Sequence, residues 1–330
     1  MWCTTMTLLL TLALSVLMAP RAAEAQGRGR MPLVGVLEPS SSTGPRNCFA
    51  AFQQGLRDLG YVEGQHLTFA YRYADIQPDR LPALAAELVR LTPDVLWTHS
   101  NAAALAAKQA TTTMPIVVGV GTEMVEQGLV ESLARPGGNL TGPDLSRIAL
   151  MGKRLELSKE ALPTISRVAV LVDPTDPLYQ EVPHHIEREA RALGIQLQRV
   201  EASGPEAFEG AFAAMVQGKA EALMLPEGPP FGPPNLQRLL ELAHQHLLPT
   251  LCSGRHYAKA GCLLAYGADA RDLCQRSAVF VDKILKGARP ADLPVESAHK
   301  LYLDVNLKTA EALGLTFPAT FLFRADEVIR

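Results

Sequence analysis

What this chain lacks narrows its function before anything present is read. No stripe of Lys and Arg runs along it: 31 basic and 34 acidic residues are interspersed and the formal net charge is −3, which argues against nucleic acid as a partner. No G-x-x-x-x-G-K-[ST] loop is present to cradle phosphates. No serine sits in a G-x-S-x-G elbow. His184 and His185 are adjacent and His244 and His246 two apart, and neither spacing puts two imidazoles on one helical face for a metal. No C-x-x-C pair occurs, and no short-period repeat suggests a solenoid. Beyond the first 25 residues no apolar run is long enough to span a bilayer.

What is there begins with a leader. Thr7 to Met18 is almost unbroken in apolar residues and is followed by Pro20, Arg21 and Ala23-Glu24-Ala25. The small residues at Ala23 and Ala25 predict a signal peptide over residues 1–25, cleaved after Ala25, so that a mature chain starting at Gln26 is exported to the periplasm. No Lys or Arg precedes the run, so the positive n-region rests on the terminal amine. Cys3 leaves with the leader. Cys48, Cys252, Cys262 and Cys274 remain, far apart or on different elements, and are expected as buried free thiols.

The 330 residues suit two domains, and 48% hydrophobic with 20% charged residues is a globular mix. From Met31 short apolar runs alternate with amphipathic stretches, the signature of parallel β-α units. Strands are predicted at 33–37, 66–72, 95–97 and 116–120, with helices at 49–59, 80–90, 102–110 and 125–133. The breaker-rich run from Arg135 to Pro143 reads as a crossover, and after a helix at 147–161 the alternation restarts. Its strands fall at 168–172, 196–200, 222–225, 250–252 and 263–265, its helices at 179–193, 205–217, 236–246 and 269–286. The fold class is therefore α/β, two doubly wound parallel-sheet lobes.

Ligands of open parallel sheets bind beyond the carboxyl ends of the strands, where helix N-termini also point. That rule selects Glu38, Ser40, Ser100, Asn101, Thr122 and Glu123 in the first series. In the second it selects Asp173, Glu227, Arg255 and Tyr266. Ser100 or Asn101 would cap the following helix and leave N–H groups for a carboxylate; Glu123 or Glu227 would accept from an amine. Tyr179, Phe231, Tyr257 and Tyr266 are the candidate apolar walls, with Tyr179 counted among the ligand-binding set. Any one of these residues is by itself an ordinary turn former or cap; the set carries the expectation. Gly119-Val-Gly121-Thr-Glu-Met124 lacks the third glycine of a dinucleotide fingerprint, and no cofactor is expected. Cys252 with His256 would make a nucleophilic site only if an orienting partner and oxyanion donors joined them.

A set of short segments, in order along the chain, resembles a known family. They include Phe52-Gln-Gln-Gly55 through Gly60-Tyr-Val-Glu-Gly64, Arg135-Pro-Gly-Gly-Asn139-Leu-Thr-Gly142, and Arg167-Val-Ala-Val-Leu-Val172. Further on come Tyr266-Gly-Ala-Asp269, Val281-Asp-Lys-Ile-Leu-Lys-Gly287 and Asn306-Leu-Lys-Thr-Ala310. The family is the ABC-transporter substrate-binding proteins of the tryptophan/tyrosine-binding type. The resemblance implies a type I periplasmic-binding-protein fold with three hinge crossings, lobe 1 being residues 26–145 plus 268–290 and lobe 2 residues 146–267 plus 291–330. It implies a monomer, without catalytic activity, that captures a small organic molecule, such as an aromatic amino acid, and delivers it to a membrane permease. Relatives tend to have a Thr/Ser-rich loop where this chain has His99-Ser100-Asn101, and Gly-Asp-Pro where it has Gly121-Thr122-Glu123, which unsettles the ligand. Two rivals remain: a sensing module of the same fold, which a neighbouring sensor-kinase gene would favour, and an exported hydrolase using Cys252 and His256.

Overall fold

The computed structural model describes residues 30–41, 43, 47–146, 148–175, 184–226, 228, 230–232 and 235–330. The first series runs β1 (Leu33–Glu38), α1 (Asn47–Asp58), β2 (Thr68–Tyr73), α2 (Leu81–Arg90), β3 (Val95–Thr98), α3 (Asn101–Ala110), β4 (Ile116–Val118) and β5 (Leu140–Thr141). Its strands form one parallel sheet in the order β2-β1-β3-β4-β5. Five of the six residues of β1 are buried, as expected where helices cover both faces of a sheet.

A two-residue strand, β6 (Pro143–Asp144), then leads to α4 (Ala149–Ala161) and a second series. This comprises β7 (Arg167–Val172), α5 (His184–Ala192), β8 (Gln196–Glu201), α6 (Pro205–Gln217), β9 (Ala222–Met224), α7 (Leu236–Gln245), β10 (Thr250–Cys252), α8 (Arg255–Ala260) and β11 (Leu264–Gly267). From β11 the chain returns to the first sheet as α9 (Ala270–Leu285), which packs along α1. It crosses again through β12 (Glu296–Ser297), which pairs in parallel with β6. It ends on the second sheet as β13 (Tyr302–Asn306), α10 (Leu307–Ala312), α11 (Ala319–Leu322) and β14 (Glu327–Ile329). That sheet has the order β14-β13-β11-β10-β9-β7-β8, and β13 runs antiparallel to β11. The architecture is two parallel-sheet α/β lobes joined by three crossings, as expected.

The α1–α9 contact is made possible by Gly55, where a Cβ would lie 2.3 Å from the Gln275 carbonyl oxygen. Beside it Phe52 stacks on Trp97 at 4.7 Å, with Phe49 edge-on to both Trp97 and Phe69. The Trp97 Nε1–H donates to Ser277 Oγ of α9 at 2.8 Å, so the indole is buried without an unpaired donor. Full burial of each such ring contributes about 1.5–3 kcal/mol.

Two sequence expectations are corrected. The four cysteines are not free thiols: Cys48 of α1 is bonded to Cys274 of α9, and Cys252 to Cys262. The α1–α9 packing brings Cα atoms 226 positions apart in sequence to within 5.4 Å, a proximity invisible in the spacing. The stretch predicted as a helix at 125–133 is a series of turns instead. Gly128 there adopts a φ of +66°, and the N–H groups of Leu129 and Val130 both return to the Met124 carbonyl, which closes rather than propagates a helix.

Candidate functional site

The crossings leave β5 and β11 at their carboxyl ends, so these ends of both sheets border the hinge. The hinge is bound tightly at Asp144, which is buried. Its Oδ2 accepts from the Met124 N–H at 2.9 Å, and its Oδ1 from the Ser146 N–H at 2.7 Å and the Ser146 hydroxyl at 3.0 Å. On the other strand the Ala298 N–H donates to the Asp144 carbonyl at 3.0 Å. At the second crossing the Arg154 Nε–H of α4 donates to the Tyr266 carbonyl at 2.8 Å.

On the first lobe the structure brings together Glu38, Ser40 and His99. Glu38 is buried at the end of β1; its Oε2 accepts from Ser40 Oγ at 3.2 Å and lies 3.1 Å from His99 Nδ1. The imidazole stacks on Trp97 with ring centres 6.4 Å apart, which fixes its plane. Ser100 occupies the N-cap of α3 with extended backbone, but its side chain makes no capping bond, so the first-turn N–H groups of the helix receive none from it. Asn101 ties two loops instead: its Nδ2 donates to the Thr122 carbonyl at 2.5 Å and its Oδ1 accepts from the Thr122 N–H at 3.0 Å. Glu123 is buried with a φ of +45°, and its Oε1 accepts from the Ile148 N–H at 2.7 Å, linking the β4 loop to the first crossing. It lines a cavity of about 450 Å³ with Met124, Ser146, Ala149 and His185, which spans the two lobes.

On the second lobe Asp173 closes a turn, its Oδ1 accepting from the Thr175 N–H at 2.9 Å and hydroxyl at 2.7 Å. Tyr266 is half-buried against the apolar core of that lobe. Arg255, expected at the ligand, faces its own sheet. It donates from Nε to Asp304 at 2.9 Å and from Nη2 to Glu327 at 2.9 Å, with its guanidinium 4.3 Å from the Tyr302 ring centre. Of the expected aromatic walls, Phe231 and Tyr257 are interior residues, 1% and 2% exposed. Tyr179 and Glu227 lie outside the described residues.

Three residues of this region were not in the selected set. His99 and Ser253 follow strands and obey the same strand-end rule. Ser253 is buried, and its Oγ finds no hydrogen-bond partner among the described residues. Behind it Gly267 is obligatory, since a Cβ there would lie 1.8 Å from the Ser253 carbonyl oxygen. Asp144 had a weaker signal, a lone acid directly after the breaker-rich crossover.

Two parallel-sheet lobes joined by three crossings have counterparts among known proteins. Residues 34–329 match the family described as ABC transporter substrate binding protein. The chain belongs to that family. A tyrosine-binding protein of Clostridioides difficile strain R20291 is 24% identical over 264 residues, 80% of this chain and 75% of that one. Among solved structures, the ABC domain in complex with L-Trp from Streptococcus pneumonia superposes with a TM-score of 0.81 at 22% identity, over 91% of this chain and all of the other. A conserved domain protein of Vibrio cholerae gives 0.79 at 27% identity with the same coverage. The ligand-free, open structure of a substrate binding protein with adhesive properties from Clostridium difficile gives 0.73 at 20% identity, over 90% and 99% of the chains. The present chain is thus a solute-binding component of an ABC transporter, of type I periplasmic-binding-protein fold. Cys252, the nucleophile of the hydrolase rival, is bonded to Cys262, and a disulfide sulfur is not a thiolate nucleophile. Among the described residues no helix is long and apolar enough to cross a membrane.

Proposed function

We propose that this binding protein captures a zwitterionic amino acid with an aromatic side chain and delivers it to a membrane permease, acting by binding alone. The observation that carries the reading is a pair of opposite polar features on neighbouring strands. The buried Glu38 carboxylate, steadied by Ser40 and His99, ends β1 and suits an ammonium group. The uncapped N-terminus of α3 follows β3, which pairs with β1, and suits a carboxylate. The relatives named for tyrosine and bound to L-Trp support the aromatic side chain. On this reading residues 1–25 are removed on export, and the chain works as a monomer in the periplasm. The lobes comprise residues 26–145 plus 268–290 and 146–267 plus 291–330, and they close by rotating about β5-β6, the 267–270 segment and β12.

A thermal-shift screen of the purified protein against tryptophan, tyrosine, phenylalanine and their decarboxylated and deaminated analogues tests this. A ligand at a hundredfold excess over its Kd stabilises the folded state by about 2.7 kcal/mol. The expected result is a shift with an intact aromatic amino acid that both analogues and the Glu38→Gln variant lose. A shift with the deaminated analogue equal to that of the amino acid would refute the role of Glu38.

A further inference from the structure

At the edge of the first-lobe strand ends, Cys48 Sγ, Cys274 Sγ and a ring nitrogen of His99 all lie within 4.8 Å of one another. Cys48 comes from the first turn of α1, Cys274 from α9 and His99 from the loop after β3, so three separate elements converge. Both sulfurs are buried, while His99 is a third exposed and gives the cluster its access to solvent. Glu38, outside the group of three, lies 3.1 Å from His99 Nδ1. We propose that this cluster is a redox-gated site for a thiophilic d10 metal ion, Zn²⁺ or Cu⁺, closed while Cys48 and Cys274 are bonded and open when they are reduced.

The donor set carries the argument. Two thiolates and one imidazole are the soft and borderline ligands that select zinc and cuprous ions over hard cations. Zn–S bonds of about 2.3 Å in a tetrahedron set the two sulfurs about 3.8 Å apart. The Cα atoms, 5.4 Å apart, are near enough for the two reduced side chains to bind one ion. Glu38 supplies the second layer: a proton on Nδ1 shared with its carboxylate leaves the lone pair on Nε2 and holds the ring, the arrangement that orients metal-bound histidines. Trp97, stacked on the imidazole, restricts it further. Three protein ligands leave a fourth position for water.

Opening the site requires two electrons. A dithiol reductant supplies them: its thiolate attacks one sulfur to give a mixed disulfide, and its second thiol displaces the first. The reductant leaves as its own disulfide, and Cys48 and Cys274 remain as two thiols. Zn²⁺ then replaces the two thiol protons, which are released, and its double charge balances the two thiolates. The metal site shares His99 and Glu38 with the proposed amino-acid site, so its test is made on the unliganded chain, where metal binding is read separately from amino-acid binding.

The test uses Co²⁺ as a spectroscopic probe on the chain carrying Cys252→Ala and Cys262→Ala, which removes the other thiols. Should that background fold poorly, the reduced wild-type chain serves, with the Cys48→Ser/Cys274→Ser variant subtracted. After reduction and anaerobic removal of reductant, one Co²⁺ per chain should bind with a thiolate charge-transfer band that Zn²⁺ then bleaches. The oxidised chain should show no band. Cys48→Ser and Cys274→Ser should each weaken the band, His99→Gln should shift it, and Glu38→Gln should keep it at about 10–100-fold lower affinity. Absence of the band from the reduced chain would overturn the site, and a band indifferent to His99→Gln would remove the imidazole and its gate.

Discussion

Replacing Arg255 by Met distinguishes a ligand-binding arginine from one that holds the second lobe together. Asp304 on β13 is 1% exposed, and Arg255 grips it with Nε at 2.9 Å and Nη2 at 3.3 Å. Removal of the guanidinium leaves that carboxylate buried and unpaired, the costly half of breaking a buried ion pair, at about 3 kcal/mol. For a lobe of this size each kcal/mol lowers the midpoint by roughly 2–4 °C, so a fall of roughly 6–12 °C is expected. The effect should depend on pH. Burial already pushes the Asp304 carboxyl above its ordinary range, outweighing the pull of Arg255, so the folded chain takes up this proton at a higher pH than the unfolded chain. Stability from this group therefore falls as pH rises through that window. Without Arg255 the carboxyl rises further, so the penalty should be greatest at pH 7 and shrink on acidification. Adding Asp304→Asn should recover part of the loss. Thermal and urea unfolding of the three variants between pH 5 and 8 measure this, alongside ligand affinity, which should stay within a few-fold of wild type. A stable Arg255→Met variant that no longer binds ligand would refute the reasoning and return Arg255 to the cleft.

The bridges should differ in weight: by the loop-closure relation Cys48–Cys274, spanning 226 positions, contributes about 5 kcal/mol, and Cys252–Cys262, spanning 10, about 3 kcal/mol. Urea midpoints of the two double-serine variants should show that order, and equal losses would contradict it. Tyr61, whose hydroxyl donates to Asp282 at 2.9 Å, is pushed up to about 12 by burial and by that carboxylate. The unfolded chain ionises it near pH 10, so stability should fall between pH 10 and 12; alkaline unfolding of Tyr61→Phe should lack that component.

The long elements were legible because burial writes itself into periodicity. Helix α6 matches its predicted span at both ends, and β1, β7 and β10 lie within a residue of theirs. The hinge strands β5, β6 and β12 were not legible: two residues carry no period, and β6 and β12 pair across more than 150 positions. The strand-end rule placed Glu38, Ser100 and Asn101 at the hinge-facing edge, but it does not say which way a side chain turns. Arg255 turned toward Asp304 because a buried carboxylate was waiting there. Phe231 and Tyr257 turned inward because an aromatic ring at a loop gains more from the core than from a half-wet wall.

The packing of α9 on α1 also orders events in time. The partners that seal the aromatic core of the first lobe, Ser277 against Trp97 and Cys274 against Cys48, belong to a helix made only after most of the second lobe. A chain emerging from its N-terminus folds domain by domain, yet here the first domain to appear is the one that must wait. Until residue 285 is delivered, Phe49, Phe52 and Trp97 lack the helix that covers them. The growing chain therefore carries an adhesive, unfinished half for most of its synthesis, the stage at which a chaperone has most to protect.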